Sequence, residues 1–143
     1  MKEVTLEYAG GRFIGSNGES GLELFRSGEG VTPVEALLMA AAACSLMDVV
    51  LILGKRKAAF SVMKVEVGAE KAEDPSRLES VHLRFVTDAP LGEMERAVKV
   101  SLEKYCTVVN TIRGVARVTS EVVERRPPPH GDDRPPFPLR NSR

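Results

Sequence analysis

The first thirty residues alternate between polar and apolar positions and are interrupted by glycine-containing turns. Alternation over four to eight residues is typical of half-buried strands, and paired glycines mark tight turns. We expect three strands, at residues 2–8, 12–15 and 22–26. Turns are expected at Gly10-Gly11 and at residues 16–19, the latter in a hairpin.

A long apolar helix follows. Thr32 is predicted as its N-cap and Pro33 as its first residue. Glu35, three residues after Thr32, completes a capping box. The helix should run to about Lys57. Its apolar run is long enough to span a membrane, but Glu35 and Asp48 interrupt it and the rest of the chain alternates like a soluble sheet. We therefore expect a buried central helix and no membrane.

The second half of the chain predicts a hairpin, a helix and a final strand. The strands are expected at residues 61–70 and 81–86, with a polar loop at 71–77 between them, and the last strand at 115–123. A helical stripe after Pro90 runs from Leu91 to Tyr105 and places Cys106 at or just past the helix end. The predicted fold class is α+β.

Chain length and proline content divide the sequence into two regions. Residues 1–124 suit one domain with one core. Residues 125–143 contain six of the nine prolines and are predicted to form a disordered or loosely tethered tail. The central helix is apolar on nearly every side, and one chain of this size has little material to cover it. We therefore expect a homodimer that shares the central helices.

Composition excludes several function classes. Twenty basic residues balance twenty acidic ones, and only 5% of residues are aromatic, with no Trp, so a nucleic-acid surface is not expected. Two cysteines are too few for a disulfide framework or a Cys-rich zinc site, and no metal-ligand spacing occurs. We expect no metal and no cofactor. The N-terminus lacks a signal-peptide core, which favours a cytoplasmic protein.

The two cysteines, Cys44 and Cys106, are the candidate chemistry. A thiol needs to be a thiolate to react, and Asp48, one turn after Cys44, would disfavour a second negative charge. A reactive Cys44 therefore requires a cation, for which Arg12 is the best candidate by position; Arg26 and Arg113 are weaker ones. With such a cation, Cys44 could attack a peroxide, form a sulfenic acid and condense with Cys106.

An external dithiol would then reduce the disulfide, and the apolar lining of the helix would favour organic hydroperoxides over hydrogen peroxide. The residues alone leave other interpretations open. A cysteine in an alanine-rich helix is more often inert packing, Arg12 alone could be a surface arginine, and His82 could be exposed without a function.

Three segments resemble the osmotically inducible protein C and organic hydroperoxide resistance (OsmC/Ohr) family. Thr-Pro-Val-Glu-Ala-Leu-Leu through Ala-Ala-Cys at residues 32–44 is similar to that family's first cysteine helix. Residues 104–111, Lys-Tyr-Cys-Thr-Val-Val-Asn-Thr, resemble its second cysteine segment, and Gly10-Gly11-Arg12 its early arginine turn. The resemblance implies an intertwined homodimer, with antiparallel sheets wrapped around long central helices and two active sites at the interface.

The resemblance also implies an activity, the thiol-dependent reduction of organic hydroperoxides. Cys44 would be the peroxidatic cysteine, Cys106 the resolving cysteine and Arg12 the activating arginine, with an external, lipoyl-type dithiol as reductant. The family's glutamate directly follows the proline. Here Val34 has that place and Glu35 is one position later, so Glu35 is the candidate for its role.

The leading hypothesis from the sequence is thus an OsmC-like thiol peroxidase. Val34 in place of the family's carboxylate favours an alternative, a non-catalytic protein that keeps the fold and binds a small ligand or responds to stress. A thiol hydrolase or acyl-transfer enzyme using Cys44 is a third interpretation, although no histidine is placed as its base.

Overall fold

The computed structural model describes residues 1–126, which form two three-stranded sheets and three α-helices. The strands are β1 (Thr5–Ala9), β2 (Arg12–Ser16), β3 (Gly21–Leu24), β4 (Met63–Glu73), β5 (Ser76–Thr87) and β6 (Arg117–Glu124). The helices are α1 (Pro33–Lys55), α2 (Leu91–Val100) and α3 (Thr107–Ile112). This arrangement confirms the predicted α+β class. Most of the predicted tail lies outside the described residues.

The N-terminal sheet is an antiparallel meander in the order β1-β2-β3. Gly10 and Gly11 both have positive φ, 58° and 77°, which is the backbone that a two-residue hairpin turn requires and that glycine adopts without strain. Tyr8 pairs with Phe13 across this hairpin, and their ring centroids are 4.9 Å apart. The three predicted strands are therefore present, with bounds shifted by at most three residues.

Helix α1 begins as the sequence predicts. The Thr32 hydroxyl accepts a hydrogen bond from the Glu35 backbone N–H at 3.2 Å and donates to Glu35 Oε1 at 3.0 Å. One face of α1 is buried, at four residues spaced four apart: Ala41, Ser45, Val49 and Leu53. By length and composition α1 could cross a bilayer, a property that it shares with the core helices of soluble proteins.

The second sheet has the order β4-β5-β6 and is mixed. β4 and β5 form an antiparallel hairpin, whereas β6 runs parallel to β5. The antiparallel pairing that the family resemblance implies is therefore present in both sheets, and the β5–β6 pair is the exception. The physical reason is the connection: helices α2 and α3 carry the chain back across the sheet, and such a crossover returns the next strand in the same direction.

Two local predictions also need correction. The polar loop expected at 71–77 is shorter, because β4 continues to Glu73 and β5 begins at Ser76. After α2, residues Ser101–Tyr105 form a π-helical turn, and α3 follows Cys106 as a further helix that the sequence did not predict. Thr and Val dominate this six-residue helix, and both have modest helix propensity.

The core lies between the second sheet and the inner face of α1. The predicted alternation in β5 is confirmed, since Val81, Leu83 and Phe85 are all buried. Met94, Ala97 and Val98 of α2 join them. Leu91 and Tyr105, at the two ends of the predicted helical stripe, are exposed instead. This core fixes α1 against α2 and α3, and it thereby sets the position of both cysteines.

Candidate functional site

The fold brings the two thiols together where α1 passes the N-terminal end of α3. Cys44 lies in the middle of α1 at the border between its buried and exposed faces and is partly buried. Cys106 lies between the π-helical turn and α3 and is fully buried. Its thiol donates a long hydrogen bond to the Ala41 carbonyl, with Sγ 3.9 Å from the oxygen. Both cysteines are free thiols.

Burial raises the pKa of Cys106 to about 11. The N–H of Val109 opposes this effect by stabilising the thiolate, whereas a hydrogen bond with the Cys44 thiol and the charges of Cys44 and Asp48 raise the pKa further. Because the Cys44 side chain acts directly on the pKa of Cys106, the two sulfurs lie close together. At neutral pH Cys106 is therefore a protonated thiol, so this residue suits a resolving role better than an attacking one.

A polar cluster lies beside the thiols in the otherwise apolar core. Ser101 and Ser45 are both fully buried. The Ser101 hydroxyl donates to Asp48 Oδ2 at 2.8 Å and lies 3.2 Å from Ser45 Oγ. Ser101 lies within the helical stripe that the sequence predicts from Leu91 to Tyr105. Its hydroxyl can be buried there because Asp48 accepts its hydrogen bond.

Arg12 lies in the N-terminal sheet, away from the thiols of its own chain. Its Nε donates to Glu23 Oε1 at 2.9 Å and a terminal nitrogen donates to Glu23 Oε2 at 2.8 Å. The hydrogen bonds to Glu23 raise the pKa of Arg12 above its usual value. The Arg12 side chain is 60% exposed. The hairpin thus displays a fixed guanidinium on its surface.

Glu35 is also apart from Cys44 within one chain. Nine residues of helix separate them, which is about 13 Å along the axis and about half a turn around it. The Glu35 side chain instead closes the capping box with Thr32. Its position is therefore explained by helix capping.

The weaker candidate cations have other partners. Arg26 lies over the Phe13 ring, 5.3 Å from its centroid. Arg113 donates to the Leu102 carbonyl at 2.7 Å and to Asn110 Oδ1 at 2.9 Å. His82, which the sequence allowed to be exposed without a function, lies 2.7 Å from Thr119 Oγ1 and 3.0 Å from Glu121 Oε1 on the outer face of the second sheet.

The fold and the two thiols together define the class of this protein. It is an α+β protein with two adjacent free thiols, one partly accessible and one buried, and such a pair can cycle between dithiol and disulfide. Across residues 1–126, no three His, Cys, Asp or Glu side chains gather as metal ligands would.

Comparison with known proteins agrees with this class. The family model for OsmC-like proteins matches residues 26–121, and the chain therefore belongs to the OsmC-like family. Protein YhfA of Escherichia coli (strain K12) is 33% identical over 117 residues, covering 79% of this chain and 83% of YhfA.

Solved structures show the same fold. An OsmC-like protein from Mycoplasma pneumoniae superposes with a TM-score of 0.76 at 18% identity, covering 88% of this chain and 98% of that one. The organic hydroperoxide resistance protein OhrB of Bacillus subtilis has a TM-score of 0.62 at 18% identity, covering 85% and 96%. At these identities the likeness establishes the fold.

Proposed function

We propose that this protein is a thiol-dependent peroxidase that reduces organic hydroperoxides. The observation that carries the proposal is the contact between the partly buried Cys44 and the buried Cys106. Family membership and a structural relative named for organic hydroperoxide resistance support a role in peroxide resistance. Because OsmC-like proteins are generally soluble, we interpret α1 as a core helix and expect the protein to act in the cytoplasm.

In the proposed cycle, the Cys44 thiolate attacks the O–O bond of the hydroperoxide. An alcohol leaves and Cys44 becomes a sulfenic acid. Cys106 then attacks the Cys44 sulfur, a disulfide forms and water leaves. An external dithiol, of the lipoyl type by resemblance, reduces the disulfide and returns both thiols.

The cycle needs a cation beside Cys44, and we propose that Arg12 of a second copy provides it. Two exposed apolar surfaces support a homodimer. The outer face of α1 exposes several large side chains, including Met47 at 72% and Leu51 at 59%. The N-terminal sheet exposes Leu6, Tyr8 and Leu22. Exposed apolar surfaces of this extent usually mark an interface.

Glu35 is proposed to act together with Arg12 at that interface. Its carboxylate would orient the guanidinium or accept a proton at the thiols of the other copy. This role stays a proposal, since within one chain Glu35 serves the helix cap.

The test is peroxide consumption by the purified protein with cumene hydroperoxide and a dithiol. Wild type should consume it, and Cys44→Ser should not. Arg12→Ala should lower the rate by about a hundredfold, because an electrostatic contact in the transition state is lost. One equivalent of peroxide should produce a Cys44–Cys106 disulfide, seen by mass spectrometry. Consumption by wild type no faster than by Cys44→Ser would remove the peroxidase proposal.

A second candidate function is a non-catalytic, ligand-binding OsmC-like protein. One observation favours it: Arg12 is already paired with Glu23, and Glu35 with Thr32. This alternative predicts that wild type and Cys44→Ser bind a small apolar ligand equally well, with no disulfide formed under peroxide.

A further inference from the structure

The polar cluster of Asp48, Ser101 and Ser45 has no part in the cycle described so far. Ser45 and Ser101 are fully buried, whereas Asp48 is partly buried and lines a surface cavity with Lys55, Arg96 and Tyr105. Polar groups beside an apolar core are costly unless they are paired, and here they pair with one another. Asp48 lies one helical turn after Cys44, on nearly the same face of α1, so the two side chains are neighbours.

Ser101 connects this cluster to the second thiol. Its backbone carbonyl accepts the N–H of Cys106 at 2.8 Å, which is the hydrogen bond that closes the π-helical turn. Its hydroxyl, on the same residue, donates to Asp48. One residue therefore fixes both the backbone of Cys106 and the direction of the Asp48 carboxylate. π-helical turns of this kind are frequent at functional sites.

The resolving step needs a group that takes a proton. Cys106 is fully buried and protonated at neutral pH, yet it has to attack as a thiolate. The groups whose charges act on it are Cys44 and Asp48, both from α1, while Val109 contributes an N–H from α3. Once Cys44 is oxidised it is the electrophile, and Arg113 of α3 is engaged by Leu102 and Asn110.

We propose that Asp48, held by Ser101 as a positioning residue, accepts the Cys106 proton when the disulfide forms. The inference deepens the proposed function. The Cys106 S–H bond breaks as the proton moves to Asp48, and the sulfur electron pair forms the S–S bond. The S–O bond of the Cys44 sulfenic acid breaks, and the departing hydroxide takes the proton from Asp48 as water. Cys106 is oxidised, the Cys44 sulfur is reduced and Asp48 is regenerated.

If Asp48 acted only through its negative charge, it would slow disulfide formation, whereas as a proton acceptor it speeds this step. The two roles can therefore be distinguished by experiment. A carboxylate that only repels the thiolate slows Cys106, so Asp48→Asn would speed disulfide formation. A carboxylate that accepts the proton promotes the step, so Asp48→Asn would slow it. The two roles therefore differ in the sign of the effect.

The experiment uses the full chain and no peroxide. Cys44, the more accessible thiol, is first converted to a mixed disulfide with dithionitrobenzoate. Attack by Cys106 then releases a second nitrothiobenzoate, which is followed by absorbance. This leaving group needs no proton, so the rate reports on the deprotonation of Cys106. Asp48→Asn should slow the release by about a hundredfold, and Ser101→Ala by about tenfold.

The pH profile separates this role from a structural one. Release by wild type should change little between pH 6 and 8, because Asp48 takes the proton. Release by Asp48→Asn should rise about tenfold per pH unit, because deprotonation then depends on hydroxide. Ser101→Thr, which keeps the hydroxyl, should restore the wild-type profile. Glu66→Gln, the same carboxylate-to-amide change on the outer face of the second sheet, should have no effect.

Release by Asp48→Asn at or above the wild-type rate would overturn the inference, as would a wild type that never closes the disulfide. The proposed function has a separate readout in the consumption of cumene hydroperoxide. A protein that consumes no hydroperoxide but closes the disulfide in an Asp48-dependent way would lose the peroxidase function and keep this inference.

Discussion

The two ends of the described chain differ in how they are stabilised. The second sheet, with α2 and α3, buries Phe85, Leu83 and Met94 completely and packs on the inner face of α1. The N-terminal sheet buries none of its large side chains fully, and Tyr8 remains 67% exposed. One region is thus complete within a single chain, and we propose that a second copy covers the other.

The same difference divides the proposed active site. Both thiols and the Asp48 cluster belong to the complete region, and their contacts form within one chain. Arg12 belongs to the N-terminal sheet, where a second copy is expected to pack. We infer that both thiols of each site come from one chain and that the Arg12 guanidinium comes from the other chain.

The largest expected effect comes from placing a charge on the outer face of α1. Met47→Asp should weaken dimerisation on the order of a thousandfold, because a buried carboxylate without a partner is costly and a two-fold interface contains it twice. Light scattering should then give the mass of one chain, 15.6 kDa, in place of twice that mass for wild type.

The matched control is Val115→Asp, which changes a similarly exposed apolar residue away from α1. It should remain dimeric. Equal masses for wild type and Met47→Asp would contradict the assignment of this face as the interface.

A smaller effect is expected from truncating the core of the complete region. Phe85→Ala should lower the free energy of unfolding by about 3–5 kcal/mol, since a fully buried ring leaves a cavity. In chemical denaturation this loss should not depend on protein concentration.

Tyr8→Ala provides the comparison from the N-terminal sheet. The loss of unfolding free energy in Tyr8→Ala should vary with protein concentration, because the ring is expected to be buried only when two copies associate. A loss for Tyr8→Ala that does not depend on protein concentration would contradict the burial of this residue in a dimer.

The smallest expected effect is a decrease in the free energy of unfolding at high pH. Burial raises the pKa of Cys106 to about 11, above its value of about 9 in the unfolded chain, so the folded state favours the neutral thiol. This contribution is fully present below pH 9 and is lost as the pH rises from 9 to 11. Wild type should lose about 2 kcal/mol of unfolding free energy over that range.

Cys106→Ser should show a shallower decline over the same range when both proteins are unfolded by denaturant. Parallel declines for the two proteins would indicate that other groups account for the loss of stability.

Local patterns predicted most of the fold. Thr32, Pro33 and Glu35 specify the start of α1, and the alternation in β5 specifies its buried face. The parallel direction of β6 could not be predicted in this way, because it depends on the crossover and not on the strand's own residues. The turn at Gly10-Gly11 was predictable, since positive φ at consecutive residues favours glycine.

The site was less predictable than the fold. The contact between Cys44 and Cys106 followed from the family resemblance, since two positions so far apart in sequence carry no local pairing signal. Ser101 lies within the predicted apolar stripe, and the sequence does not indicate that its hydroxyl donates to Asp48 in the folded chain. The proposed place of Arg12 is in the site of a second chain, which no periodicity in one sequence encodes.

The most direct test of this account is complementation between two inactive variants. Arg12→Ala and Cys44→Ser are unfolded and refolded together, so that mixed dimers form. If Arg12 serves the thiols of the other copy, each mixed dimer has one intact site, and about a quarter of wild-type peroxide consumption should return. If Arg12 serves its own chain, no site is intact, and a mixture as inactive as its parents would contradict the account.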